Sequence, residues 1–267
     1  MNHLLRELAP ISASAWDLLD DEARERLHGP LAARRLVDFG GPVGWDHSAT
    51  NLGRVEKIEP PTEDGVSAAQ RRVLPLVELR AEFPVFLGEL RDHERGAVDV
   101  DLEQLDEAAQ RIAIAENVAV FHGWPEAGIG GIAEVSPFEP QPLGSSAEDY
   151  PRSVAAAVEL LRAEGVGGPY GLALGPAEHT KVIETAEHGG YPLFDHLAKI
   201  LAGPIVWAPG LKGAVVLSLR GGDFLFESGQ DLAIGYSHHD ADAAHLYLEE
   251  SFSFVVATPE AAAPLTL

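Results

Sequence analysis

The chain has 267 residues, 46% of them hydrophobic and 23% charged, enough for one large domain or two modest ones with real cores. Lys and Arg total 19 against 42 Asp and Glu, and the net charge of -23 argues against a nucleic-acid coat, because phosphate binding draws its affinity from Lys and Arg. With no cysteine there is no disulfide framework, thiolate metal site or cysteine nucleophile, and no apolar run reaches the ~18 residues of a membrane span.

Residues 1–9 read as a short helix with Leu4, Leu5 and Leu8 on one face, stopped by Pro10. The stretch is amphipathic and too short for a secretory h-region, so no signal peptide and a cytoplasmic location are expected. Ser12 or Ser14 caps the next helix, which carries Trp16, Leu19, Ala23 and Leu27 at helical spacing. Its apolar face serves either as a cap on the core or as a docking surface for an apolar peptide. After Gly29-Pro30 an apolar pattern resumes over residues 31–37, beside Arg34 and Arg35. From Gly40 hydrophobicity falls, and residues 51–72 form a long polar segment whose tip is Glu59-Pro60-Pro61-Thr62-Glu63-Asp64-Gly65. Residues 55–58 and 69–73 can pair as a two-stranded ribbon. An isolated ribbon is marginal in water, so it calls for support from elsewhere, such as a neighbouring subunit.

Residues 74–84 read as a strand and 85–94 as a short helix that ends at Gly96. The longest helical pattern spans 102–122, with Leu102, Leu105, Ala109, Ile112, Ala113, Glu116 and Ala119 along one stripe. Asp99, Asp101, Glu103, Asp106 and Glu107 crowd its first turns, where the helix dipole favours negative charge, and read as a solvated helix start. Gly128-Ile129-Gly130-Gly131 lacks the preceding strand and following helix of a nucleotide fingerprint. Ser145 or Ser146 caps a helix over 150–164. Then come a buried strand over 170–175 and a helix that Pro176 opens and that runs to 186. Glu187-His188-Gly189-Gly190-Tyr191-Pro192 breaks it, and 193–201 is an amphipathic helix. Strands follow at 205–208, 214–219, 224–227 and 230–236. The tail reads as two further strands, 244–250 and 251–257, and an apolar run over 259–267. The class is α+β.

Little of this looks catalytic. G-x-S-x-G, G-x-x-x-x-G-K-[ST] and H-E-x-x-H are all absent. His238, His239, Asp240, Asp242 and His245 fall within eight residues and can bind a divalent ion, so a metal-dependent hydrolase is the enzymatic alternative. Adjacent His238 and His239 point to opposite sides, however, and the plainer reading is a polar loop with no metal. His188 has no Asp or Ser partner nearby in sequence and reads better as the lining of an opening than as a catalyst. No cofactor and no enzymatic activity are expected.

A set of motifs adds to this reading. They are Leu8-Ala9-Pro10 with Trp16, Gly41-Pro42-Val43-Gly44-Trp45, Leu74-Pro75-Leu76-Val77-Glu78-Leu79-Arg80 and Glu94-Arg95-Gly96. With them come Gly168-Pro169-Tyr170, Gly189-Gly190-Tyr191-Pro192-Leu193, Gly221-Gly222-Asp223-Phe224, Gly229-Gln230-Asp231-Leu232-Ala233-Ile234-Gly235-Tyr236 and Phe252-Ser253-Phe254. In this order and spacing the chain resembles, over its full length, the encapsulins, nanocompartment shell proteins also described as linocin-type bacteriocins. The resemblance implies the fold of tailed-phage major capsid proteins. It divides the chain into lumen-facing N-terminal helices (1–45), an extended loop (46–73), a peripheral domain with a spine helix (74–135), an axial domain (136–216) and return strands that complete the peripheral domain (217–267).

Function follows from the same resemblance. It implies self-assembly into an icosahedral shell, which needs about sixty copies at minimum. It implies cargo, a dye-decolourising peroxidase or a ferritin-like protein concerned with iron storage or oxidative stress, held by a C-terminal targeting peptide. By position, Leu27, Leu31, Arg34, Asp38, Leu232 and Ile234 would bind that peptide, with Arg34 fixing its backbone. Glu187, His188, Gly189, Gly190 and Tyr191 would ring the five-fold opening. No nucleic acid or membrane partner is implied. A prophage major capsid protein is the alternative from the same fold.

Overall fold

The computed structural model describes residues 3–62, 65–144, 146–185 and 190–266. Helix α1 (Ala13–His28) starts where the Ser12 hydroxyl accepts from the Ala15 N–H, so Ser12 and not Ser14 is the cap. Strand β1 (Asp38–Gly40) leads to a ribbon of β2 (Ala49–Ile58) and β3 (Ala68–Pro75). Strand β4 (Val77–Phe86), helix α2 (Leu87–Glu94) and the long helix α3 (Glu103–His122) follow. A single turn α4 (Ile132–Val135) and the short β5 (Gln141–Pro142) precede α5 (Tyr150–Ala163). Next come β6 (Tyr170–Leu174), α6 (Pro176–Glu184), α7 (Leu193–Leu201), β7 (Ile205–Trp207) and β8 (Ala214–Ser218). The chain closes with β9 (Phe224–Ser228), β10 (Ala233–His239), β11 (Ala243–Val256) and β12 (Ala262–Thr266).

Two sheets carry these elements. In the first, β11 is the axis: its first half lies between β10 and β4, both antiparallel, and its second half pairs with β9, which β1 extends in parallel. The apolar face of α1 and the stripe of α3 cover it, burying Trp16, Leu19, Leu27, Leu105 and Ile112 with Ile234 and Leu248. In the second sheet the order is β5-β12-β8-β6-β7, with Val154, Val158 and Leu161 of α5 and Leu197 and Leu201 of α7 packed against its strands.

The ribbon pairs β2 with β3 as a two-stranded sheet, with no third strand among the described residues, and Val55, Ile58 and Val73 stand 66%, 47% and 49% exposed.

Several expectations need correction. Among the described residues 3–9 there is a single 3-10 turn at Arg6–Leu8 and no longer helix, because Leu5 is in the left-handed region (φ 50°) and the Leu4 carbonyl accepts from the Tyr236 N–H of β10. The two tail strands are one continuous β11 of 14 residues. Glu249, Glu250 and Ser251 break its apolar alternation, yet are buried against partners from elsewhere in the chain. The last strand does not return to the first sheet, as a division at 217–267 would have it. β12 pairs with β8 and β5, so the C-terminus ties the second sheet. Residues 74–84 are not one strand: β3 runs to Pro75, and β4 begins after Leu76, whose N–H donates to Ser48 O.

Candidate functional site

Between α1 and the outer edge of β10 lies an open groove of about 460 Å³. Leu27 and Leu31 form one wall, Leu232 and Ile234 the other, and Leu248 of β11 the floor. Five of the six peptide-binding positions, Leu27, Leu31, Arg34, Leu232 and Ile234, therefore meet here, brought together from opposite ends of the chain. Asp38 does not. It accepts from the Gly222 N–H at 2.6 Å and faces a separate cavity of about 160 Å³ with Arg35, Ser218 and Asp223. The parallel pairing of β1 with β9 carries it there.

Arg34 lies in the groove wall but is not free to hold a peptide backbone. Its Nε donates to Glu116 Oε2, one terminal nitrogen to Asp231 Oδ1 and the other to Glu250 Oε2, each at 2.7 Å. Glu116 and Glu250 are almost wholly buried. Their Oε1 atoms are buried and have no hydrogen-bond partner in the structure. Burial raises the Glu116 pKa, an effect that Arg34 opposes. Burial, and next the Glu116 charge, raises Glu250 well above the usual carboxylate range. For Arg34, burial alone would lower the pKa, but Glu116, Glu250 and Asp231 outweigh it and hold the guanidinium above its usual value.

The cluster is a strut. It joins the segment after α1 to α3, to β11 and to the loop before β10, and so sets the width of the groove. Sequence reasoning missed it, although a signal was present: Glu116 sits on the buried stripe of α3, where a charge needs a partner.

The chain's own N-terminal segment bounds the groove on one side. His3 stacks on Trp45 at 3.9 Å and lies 3.3 Å from Glu249 on one face of the sheet. Arg6, on the other side, bonds Asp20 at 2.8 Å and stacks 4.0 Å over Trp16.

Of the expected opening loop, Glu187, His188 and Gly189 lie outside the described residues. Gly190 has φ 80°, and Tyr191 is part-exposed with the Lys199 ammonium 4.8 Å above its ring. The histidine cluster is a hairpin tip tied up in local bonds. His238 stacks on His245 across the strands at 4.3 Å, His245 bonds Asp240, and His239 bonds the Tyr236 hydroxyl. Asp240 is held down to about 2 by the backbone N–H groups of Asp242 and Ala243, with His245 adding to the effect. No three such side chains converge as metal ligands among the described residues.

Comparison with known proteins settles the family. The profile described as "Encapsulating protein for peroxidase" matches residues 1–253. The type 1 encapsulin shell protein of Rhodospirillum rubrum is 47% identical, over 99% of this chain and 96% of its own length. The chain belongs to the encapsulin shell proteins. Its fold is shared with a virus-like particle from Pyrococcus furiosus (TM-score 0.67, 18% identity, 94% of this chain and 98% of that one). It is shared too with the capsid of the myovirus XM1 (TM-score 0.55, 9% identity, 90% and 92%). As an encapsulin this chain is a self-assembling shell subunit with the capsid fold of tailed phages, and its relatives are structural proteins. None of its described helices is long and apolar enough to cross a membrane.

Proposed function

We propose that the shell built by this chain loads cargo through the groove beside α1, which takes an apolar C-terminal peptide of the cargo protein. The observation that carries this is the groove itself. It is a trough of about 460 Å³ in which Leu27, Leu31, Leu232, Ile234 and Leu248 form an apolar strip, beside the buried Arg34 cluster and rimmed by the Arg6–Asp20 pair. Repetition over about sixty subunits gives useful avidity even where one site is weak. A peroxidase is the favoured cargo, in keeping with the description of the family profile. A ferritin-like protein is the second candidate. On the same reading the first sheet is the core of the peripheral domain, the second sheet that of the axial domain, and the β2–β3 ribbon reaches a neighbouring subunit. The loop at 187–191 then surrounds the five-fold opening.

The test is purification of shells co-expressed with candidate cargo, from wild type and from Leu31→Asp and Leu232→Asp variants. Both positions are only partly buried, so the fold should survive. Uniform particles by negative-stain electron microscopy in all three, with cargo retained only by wild type, are expected. Equal loading of all three would remove the groove from the account.

A further inference from the structure

The β2–β3 ribbon is fastened to the body of the subunit at its root. Among the described residues its two strands pair only with each other, and the Leu76 N–H donates to Ser48 O to close the base. Thr50 is the one described ribbon side chain that hydrogen-bonds to either of the other sheets. Its hydroxyl sits between Glu227 of β9, at 2.7 Å, and Ser253 of β11, at 2.5 Å, and these two are register partners on adjacent strands. On the segment that enters the ribbon, His47 Nε2 lies 2.5 Å from the same oxygen, Glu227 Oε1.

Bonding capacity fixes the direction of each bond. A carboxylate only accepts, so His47 Nε2 carries a hydrogen and donates, and the Thr50 hydroxyl spends its one hydrogen on Glu227. The Ser253 hydroxyl must then donate to Thr50 Oγ1. Glu227 Oε1 thus collects two donors from two points along the chain. One bond would leave a pivot, whereas two, braced by Ser253, set a direction. Just beyond the root the ladder breaks: Asn51 pairs with Val73 but Arg54 with Arg72, so Leu52 and Gly53 are extra residues on β2. Gly53 takes φ 64°, and its N–H donates to the Asn51 side chain at 2.9 Å. Such a bulge bends and twists its strand, so the outer ribbon leaves the root at an angle.

We propose that Glu227 is a positioning residue for shell assembly: through Thr50 and His47 it aims the ribbon at the neighbouring subunit. This rests on reading the ribbon as an assembly contact and adds what directs it. The ribbon is a lever. From Thr50 to Ile58 it extends up to about 26 Å, so a tilt of about 10° at the root displaces the far end by about 5 Å. An interface packed as densely as a protein interior does not absorb a shift of that size. Nor does the error cancel between copies, because a closed shell needs the same rotation at every repeated contact. A single carboxylate oxygen at the fulcrum therefore governs whether the contacts close.

The test compares the full-length wild type with Thr50→Val, Glu227→Ala and Glu227→Gln, and uses Val55→Asp as the control for the ribbon contact itself. Thr50→Val keeps the shape of the side chain and removes the hydroxyl, while Glu227→Gln keeps an oxygen that accepts both bonds. Particles are sized by cryo-electron microscopy and sedimentation velocity. Thr50→Val and Glu227→Ala should lose the single particle size of wild type and give open or off-size particles or free subunits. Glu227→Gln should restore the single size, with far-UV circular dichroism unchanged throughout. Should Glu227→Ala fold poorly, Thr50→Val decides alone, because it deletes one hydroxyl from a part-buried position.

The outcomes separate the two readings. Intact particles from Val55→Asp remove the ribbon as an assembly contact, and the role of Glu227 with it. Loss of particles in Val55→Asp, with uniform shells of wild-type size from Thr50→Val, leaves the ribbon contact standing and overturns the aiming role. Glu227→Gln shells as irregular as those of Thr50→Val would mean that charge and not bonded geometry matters at the root, and would also overturn it.

Discussion

Arg34→Met is the most searching substitution for the buried cluster. The guanidinium makes three charge-assisted bonds, two of them to carboxyls that are 0% and 1% exposed, while methionine fills a similar volume without charge. Removing the cation that bonds Glu116 and Glu250 leaves a buried negative charge without compensation, which costs about 3–5 kcal/mol. For a chain of this size that corresponds to a fall in melting temperature of roughly 6–20 °C at fixed protein concentration and scan rate. Arg34→Lys should recover only part of the loss, because one ammonium cannot hold three divergent carboxyls in the guanidinium plane. The triple variant Arg34→Met, Glu116→Gln, Glu250→Gln should recover most of it, since no charge is then stranded. Differential scanning calorimetry on purified shells reads all three. An Arg34→Met shell that melts within about 2 °C of wild type at neutral pH would refute the argument, because both carboxyls would then have to be neutral without the arginine.

Three further predictions follow from the same contacts. The folded-state pKa values of Glu116 and Glu250 lie above their usual value, so their contribution to stability is fully present below the unfolded pKa. It is lost as pH rises through the folded values, and Glu250→Gln, which keeps a hydrogen-bonding side chain and removes the titration, should flatten this decline in melting temperature with rising pH. Gly235→Ala would place a Cβ 2.2 Å from the Tyr247 ring, over which the Arg80 guanidinium is stacked, and should destabilise by about 1–3 kcal/mol in chemical unfolding. Val55→Asp, at a 66% exposed position on the ribbon, should leave the subunit's circular dichroism unchanged but abolish particles in size-exclusion chromatography. Intact particles would show that the ribbon face is not an assembly contact.

The elements were legible in the sequence wherever the signal was local. A serine ahead of an apolar period marked α1, a stripe of small and branched residues marked α3, and Pro176 marked the start of α6. The polar ribbon was readable as a hairpin because its two arms are strand-like and its tip is not. Residues 1–9 misled for the opposite reason. Their leucines have helical spacing, but the Tyr236 N–H claims the Leu4 carbonyl, and a turn this short is decided by tertiary contact and not by propensity.

By itself, then, the sequence determined the composition class, most of the helices and strands and, through motif order, the encapsulin family. What only the tertiary structure decided is who meets whom. Arg34 finds Glu116 and Glu250 across 82 and 216 residues, Leu27 faces Ile234, and Asp38 turns away to another cavity. Periodicity and capping are written within a few residues of each element. The partner of a buried charge or the width of a groove depends on how those elements pack, and no local pattern carries that information.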